Sequence, residues 1–248
     1  MSLQDQVALV TGSATGVGRA TALLLAREGA HVVVNYTKSE SEARETASAV
    51  EALGRKALLV RADVADDRQV SAMVEQTATA FGRLDILVNN AGATAMVPFK
   101  DLEGLTEEMW DRVLAVNVKG VFFCSRAAVR LMLPQGSGCI VNVASMGGLV
   151  ATGSSIAYSA SKAAVINMTK TMAVGLGPKI RVNAVAPGFV NTRWNESRPE
   201  LIPRISERAP LKRVAEVQDV AEVILSLVAS SSFVTGQVLP VDGGQFLV

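Results

Sequence analysis

Tyr158 and Lys162 stand four residues apart in SSIAYSASKAAVINM, Ser154 to Met168, among mostly small side chains. Positions i and i+4 share a helix face with Cβ atoms roughly 5–6 Å apart, so this phenol and ammonium can share a pocket. A free phenol, with a pKa near 10, exchanges protons poorly at pH 7. A neighbouring cation favours the phenolate. A drop of about three units, roughly 4 kcal/mol, would poise it for general acid–base work. Ser145 offers a hydroxyl to hydrogen-bond an oxygen on which negative charge develops. Plain readings stand beside these: an amphipathic surface pair for Tyr158 and Lys162, a turn cap for Ser145, and a buried backbone partner for Asn117.

Other acid–base candidates are few. The chain has one histidine, two cysteines and two tyrosines. His31 opens the run HVVVN and so belongs at the start of a strand, whereas ligands of open α/β sheets gather at the carboxyl ends. It is read as structural. Cys124 and Cys139 are read as small buried hydrophobes, with no ligand cluster and no expected metal site.

The elements that must position these groups follow from apolar periodicity. VALV (Val7–Val10), HVVVN (His31–Asn35), ALLV (Ala57–Val60), ILVNN (Ile86–Asn90), CIVNVA (Cys139–Ala144), IRVNAVA (Ile180–Ala186) and QVLPV (Gln237–Val241) read as strands. They hardly alternate between polar and apolar, as strands covered on both faces do. Helical patterns lie between them over Val17–Glu28, Ser41–Leu53, Asp67–Phe81, Thr106–Met132, Ser154–Leu176 and Glu216–Ala229. The alternation predicts an α/β fold, a doubly wound, Rossmann-type parallel sheet of seven strands with helices on both faces. No repeat or linker divides the chain, so residues 1–248 are expected to form a single dinucleotide-binding and catalytic domain. Gly188–Pro210 finds no place in the sheet and is expected to be a lid or binding loop.

TGSATGVGRA, Thr11 to Ala20, joins the first strand to the first helix. Gly12, Gly16 and Gly18 permit a tight turn and close approach of backbone to a ligand. With Ala14, Thr15 and Val17 they form a candidate pyrophosphate cradle at a helix N-terminus. Together, TGSATGVG, NNAG (Asn89–Gly92), Asn117, Ser145, YSASK (Tyr158–Lys162) and APG (Ala186–Gly188) resemble the short-chain dehydrogenase/reductase family, over Val7 to Gly244. The resemblance implies hydride transfer between a nicotinamide cofactor and a carbonyl or alcohol, with coupled proton transfer at Tyr158. It implies that Lys162 bonds the nicotinamide ribose and that Asn117 supports a water leading protons to that lysine. It places Asp63 and Val64 against the adenine, and Asn90, Ala91 and Gly92 beside the cofactor. The resemblance also implies that Pro187 and Gly188 end the sixth strand and that Val190 and Thr192 hold the carboxamide. Asp63 also has a plain alternative near a helix start.

The second strand ends in Asn35, Tyr36, Thr37 and Lys38, without the carboxylate that normally grips the ribose of NAD. Thr37 and Lys38 suit a 2′-phosphate, so NADP(H) is favoured with NAD(H) possible. Lys38 has a solvated-loop alternative. The net charge of +1 gives no reason to expect a nucleic acid or membrane partner. No apolar run is long enough to span a bilayer. The opening residues lack a secretion signal, and two cysteines suit a reducing compartment, so a cytoplasmic address is expected.

A methyltransferase is disfavoured by the missing acid. A non-catalytic NAD(P)-binding sensor is disfavoured by the complete proton-transfer set. The layout is similar to 3-oxoacyl-carrier-protein reductases and to sugar and alcohol dehydrogenases. LPQGSGC (Leu133–Cys139) lacks the basic residues that carrier docking wants, although Arg193, Arg198, Arg204 and Arg208 supply charge nearby. Trp194 reads as a lid or interface residue. Apolar residues beyond one stripe on the helices around Thr106–Met132 and Ser154–Leu176 suggest subunit contacts, and the resemblance implies a homotetramer.

Overall fold

Seven short strands line up in the order β3-β2-β1-β4-β5-β6-β7. They are β1 (Val7–Val10), β2 (His31–Tyr36), β3 (Ala57–Arg61), β4 (Ile86–Asn89), β5 (Gly138–Val143), β6 (Ile180–Pro187) and β7 (Val238–Val241). Every neighbouring pair is parallel. The computed structural model describes residues 3–196 and 198–247, so Met1, Ser2, Ser197 and Val248 lie outside the described residues. Successive strand side chains point to opposite faces, and here both faces are buried. Ala8, Val10, Val32, Val34, Ile86 and Val88 join one core cluster, while Val7, Leu9, Val33 and Leu87 join the other.

Helices α1 (Gly16–Arg27), α2 (Glu40–Ala52) and α8 (Val217–Ala229) supply apolar side chains to the first cluster. Helices α3 (Asp67–Phe81), α5 (Val121–Gln135) and α6 (Ile156–Leu176) contribute to the second. This is the doubly wound, Rossmann-type architecture that strand–helix alternation predicts. Strand order reverses between β1 and β4, which opens a crevice at their carboxyl ends. His31 sits at the opposite end of β2, its ring stacked 5.7 Å from Phe81 and accepting from Lys56 N at 3.1 Å.

Two stretches differ from the periodicity. The helix expected over Thr106–Met132 is interrupted: α4 (Glu107–Leu114) runs into a π-helical segment, Ala115–Gly120, before α5. The apolar pattern continues through that wider turn, so periodicity does not report it. The extra residue turns Asn117 fully inward, and Gly120 lies so close to Val64 that a Cβ there would meet Val64 Cγ2 at 2.8 Å. Nor is Gly188–Pro210 structureless: it holds a 3₁₀ turn, Arg193–Asn195, and helix α7 (Leu201–Arg208).

A buried amide chain fixes α6 to the sheet beneath the site. Asn89 Nδ2 donates to Asn142 Oδ1 at 2.8 Å and to Ser125 Oγ at 3.0 Å, and Asn142 Nδ2 donates to Thr169 Oγ1 at 2.9 Å. Low dielectric strengthens such a chain and makes its disruption costly. Asn142→Ala removes two buried hydrogen bonds, leaving Asn89 Nδ2 with Ser125 alone and Thr169 Oγ1 with Val165 O alone, and should lower stability by about 1–3 kcal/mol. The measurement is the urea midpoint at unchanged slope; a loss below about 0.5 kcal/mol would show that the network does not hold α6.

Candidate active site

Ser155 caps α6, its hydroxyl accepting from Tyr158 N at 3.2 Å. This fixes Tyr158 in the helix's first turn, half-buried, with Lys162 one turn further and buried. Lys162 Nζ donates to Val143 O, at the end of β5, at 2.7 Å, and lies 5.7 Å from the centroid of the Tyr158 ring. Ser145 follows two residues after Val143. Its Oγ accepts from Gly147 N at 3.1 Å, capping a short 3₁₀ turn, Met146–Gly148. That turn is locked on α6, because a Cβ at Gly148 would stand 2.6 Å from Lys162 C. The capping role and a place beside the phenol therefore coexist in Ser145.

The charges differ from the expectation drawn from spacing. Burial pushes the Tyr158 phenol above its ordinary value, and the hydrogen bond with Ser145 only partly opposes it. Lys162 does not pull the phenol down, since its ammonium is directed at the Val143 carbonyl and not at the phenolic oxygen. Burial lowers Lys162 itself to about 8. Burial thus moves the lysine toward the physiological range and the phenol away from it.

Asn117 is fully engaged. Its Oδ1 accepts from Ala93 N at 2.8 Å, and its Nδ2 donates to Ala93 O at 2.9 Å and Ser161 Oγ at 2.9 Å. It ties the chain beyond β4 to α6.

Tyr158, Lys162 and Ser145 line one end of a cavity of about 840 Å³. The other end is the glycine turn, where Gly12, Ala14, Thr15, Gly16 and Val17 form the wall. Gly12 (φ 62°) and Gly16 (φ 58°) adopt the left-handed conformation that favours glycine. Asn35, at the position expected to meet a ribose, instead braces this turn, accepting from Gly12 N at 3.1 Å. Thr15 makes no side-chain cap to α1, so the helix's first N–H groups remain available to an anion. Those features fit a dinucleotide pyrophosphate.

Tyr36, Thr37, Asn90, Ala91, Gly92, Pro187, Gly188, Val190 and Thr192 also line the cavity. Gly18, Lys38, Asp63, Val64 and Asn117 do not. Gly18 serves packing, since a Cβ there would lie 2.5 Å from Gly12 O and from Asn90 Nδ2. Lys38 is exposed outside the wall. Asp63 holds Arg112 at 3.0 Å, and Val64 is buried beneath Gly120.

The structure also brings in Ser39, which sequence reasoning did not name, and gives Arg193 a position that it did not foresee. Ser39 lines the ribose end, and Arg193 crosses from the β6–α7 segment to meet it. Arg193 Nη1 donates to Glu42 Oε1 at 2.8 Å, and Nη2 to Ser39 Oγ at 3.3 Å and Thr15 Oγ1 at 3.4 Å. More than 150 residues separate Arg193 from Glu42, and no local pattern signals that contact. Trp194 packs 6.4 Å from the Tyr158 ring.

A family model described as enoyl-(acyl carrier protein) reductase matches residues 12–245. The chain is 43% identical to a 3-oxoacyl-[acyl-carrier-protein] reductase of Thermotoga maritima, covering 98% of this chain and 99% of that protein. It is 42% identical to a cis-4-hydroxycyclohexanecarboxylate dehydrogenase of Sinomonas cyclohexanicum, covering 97% and 96%. A crystal structure of a short-chain type dehydrogenase/reductase from Mycobacterium marinum superposes with a TM-score of 0.93 at 36% identity, over 100% of this chain and 98% of that one.

Burying a charge destabilises the fold, and the sign for Lys162 is explicit. Its pKa falls from 10.5 to about 8 on folding, so the unfolded chain binds more protons between those values and stability rises with pH through that window. Lys162→Met should be more stable than the wild type at pH 7 by about 1–3 kcal/mol after allowing for the lost hydrogen bond. The advantage should shrink from pH 8 to 10.5. Urea melts at pH 7 and pH 10 check it; a less stable variant at pH 7 would contradict the burial penalty.

Proposed function

The chain belongs to the short-chain dehydrogenase/reductase family, and from that premise we propose that it interconverts a carbonyl and a secondary alcohol with NADP(H). An oxidoreductase acting on CH–OH or C=O, using a nicotinamide dinucleotide and a small-molecule substrate, is the activity that membership supports. The observation that carries the finer reading is the convergence of Tyr158, Ser145 and Lys162 on one end of a cavity whose other end is the glycine turn. In this reading residues 1–248 act as one dinucleotide-binding and catalytic domain.

When bound, the nicotinamide supplies or accepts the hydride. Tyr158 gives its proton to the carbonyl oxygen in reduction and recovers one in oxidation. Ser145 steadies that oxygen as charge develops. Lys162, held by Val143, keeps further N–H donors for the nicotinamide ribose. Gly12, Ala14, Thr15, Gly16 and Val17 take the pyrophosphate at the N-terminus of α1. Val190 and Thr192, beyond Pro187 and Gly188, face the carboxamide, and Asn117 keeps Ala93 and Ser161 in register.

NADP(H) is favoured over NAD(H) because no Asp or Glu lines the cavity among the described residues, while Thr37, Ser39 and Arg193 stand at the ribose end. Reduction of a 3-oxoacyl thioester is the second reading, favoured by the Thermotoga relative. The exposed side chains Phe122 on α5 and Val174 on α6 support assembly as a homotetramer. Among the described residues no helix is long and apolar enough to cross a membrane, and a cytoplasmic address is proposed with it.

Tyr158→Phe removes the proton donor without altering the ring. It should lower kcat on a ketone panel by about 10²–10⁴, with NADPH affinity kept within about threefold. Stopped-flow assay with NADPH and nicotinamide fluorescence titration read the two quantities. More than a tenth of wild-type kcat in the variant would overturn the proton role. The wild type should turn over with a larger kcat/KM for NADPH than for NADH; binding without turnover of any ketone would favour a sensor.

A further inference from the structure

Helix α7 turns an unusual face to the cavity. Leu201, Arg204, Ile205 and Arg208 are spaced i, i+3, i+4, i+7, the stripe a surface helix ordinarily fills with apolar residues. All four line the cavity, and Arg198, three residues before Leu201, lines it too. Arg204 and Arg208 are exposed, so their guanidinium groups lie at the open side of the cavity.

These cations lack counter-ions. Among the described residues Arg204 and Arg208 make no side-chain hydrogen bond or ion pair. Arg198 donates from Nη2 to Asn195 Oδ1 at 2.7 Å, and its Nε is buried with no partner. Arg193 differs, being already paired with Glu42. No Asp or Glu lines the cavity among the described residues. The pyrophosphate cradle is separately furnished by the glycine turn and α1, so three further arginines exceed what that group needs. Leu201, Ile205, Trp194 and Phe246 supply apolar wall beside them.

We infer that Arg198, Arg204 and Arg208 form a subsite for an anionic oxygen group, carboxylate or phosphate, carried by the substrate on an apolar body away from its reacting carbonyl. This rests on the oxidoreductase reading and deepens it, naming the substrate class as charged keto or hydroxy compounds. Guanidinium forks suit both anions, bonding two oxygens at once. The buried Nε of Arg198 gains the acceptor it lacks.

Binding is read separately from turnover, through Trp194 fluorescence in Trp110→Phe/Tyr158→Phe protein. One pair of probes is 4-oxopentanoate and its methyl ester; the other is acetoacetyl-CoA and acetoacetyl-N-acetylcysteamine. The anionic member of at least one pair should bind about tenfold tighter, as a charge-assisted contact implies, and the pair that discriminates identifies carboxylate or phosphate. Adding Arg204→Gln/Arg208→Gln should bring that ratio within about twofold of unity. Arg204→Lys/Arg208→Lys should keep much of it, which separates charge from folding.

Equal binding within both pairs overturns the subsite. So does a loss of NADPH affinity parallel to the loss of the anionic probe, which would assign the arginines to the cofactor. A preference for acetoacetyl on an acidic carrier protein, with both small pairs undiscriminated, would assign them to carrier docking instead. Absence of turnover of any carbonyl by the wild-type enzyme would sink the oxidoreductase reading and leave these binding ratios interpretable.

Discussion

The Lys162 ammonium, drawn almost wholly out of water and bonded to the Val143 carbonyl at 2.7 Å, is the constraint around which the rest of the site is built. Solvation of an isolated charge is worth far more than one hydrogen bond returns, so the position must be enforced by packing. The enforcement is visible on three sides. Gly148 presses its turn on the backbone at Lys162, Asn117 holds Ser161, and Asn142 grips Thr169 two turns further along α6. Each contact fixes α6 against the ends of the central strands. A phenol and an ammonium on that helix then have no freedom to separate.

The sheet explains why the partners meet at this edge. Parallel strands end together, so β1, β4, β5 and β6 deliver the glycine turn, the Asn90–Gly92 backbone, Ser145 and Gly188 to one crevice. The order of strands reverses there, leaving room between the outgoing loops. The β6–α7 segment roofs it, with Trp194 near the phenol and Arg193 reaching the start of α2. One segment therefore touches both the glycine-turn end of the cavity and the end that holds Tyr158.

Much of this was legible in the sequence, and for identifiable reasons. Buried strands announce themselves as short apolar runs, and a four-residue spacing places Tyr158 and Lys162 on one face whatever surrounds them. What spacing does not report is direction. It implies an ammonium depressing a phenol, whereas Val143 takes the ammonium and burial raises the phenol. Similarly, Lys38 stands next to Thr37 in sequence but outside the cavity, while Arg193, remote in sequence, arrives there by the fold. The π-helical turn at Asn117 escaped periodicity because Val113, Val116 and Val121 keep an apolar helical spacing across it while the backbone widens. Local chemistry is readable; long-range juxtaposition and side-chain aim are set by packing.

Since burial by itself raises the phenol, the account requires the oxidised cofactor's positive ring to lower it at the moment of use. With two tyrosines in the chain, the tyrosinate absorbance of each can be followed, and subtracting a Tyr158→Phe titration isolates Tyr158. The account predicts that Tyr158 ionises above the ordinary phenol range in the cofactor-free protein and that saturating NADP⁺ moves its ionisation to lower pH. A Tyr158 titration unmoved by the cofactor would contradict it.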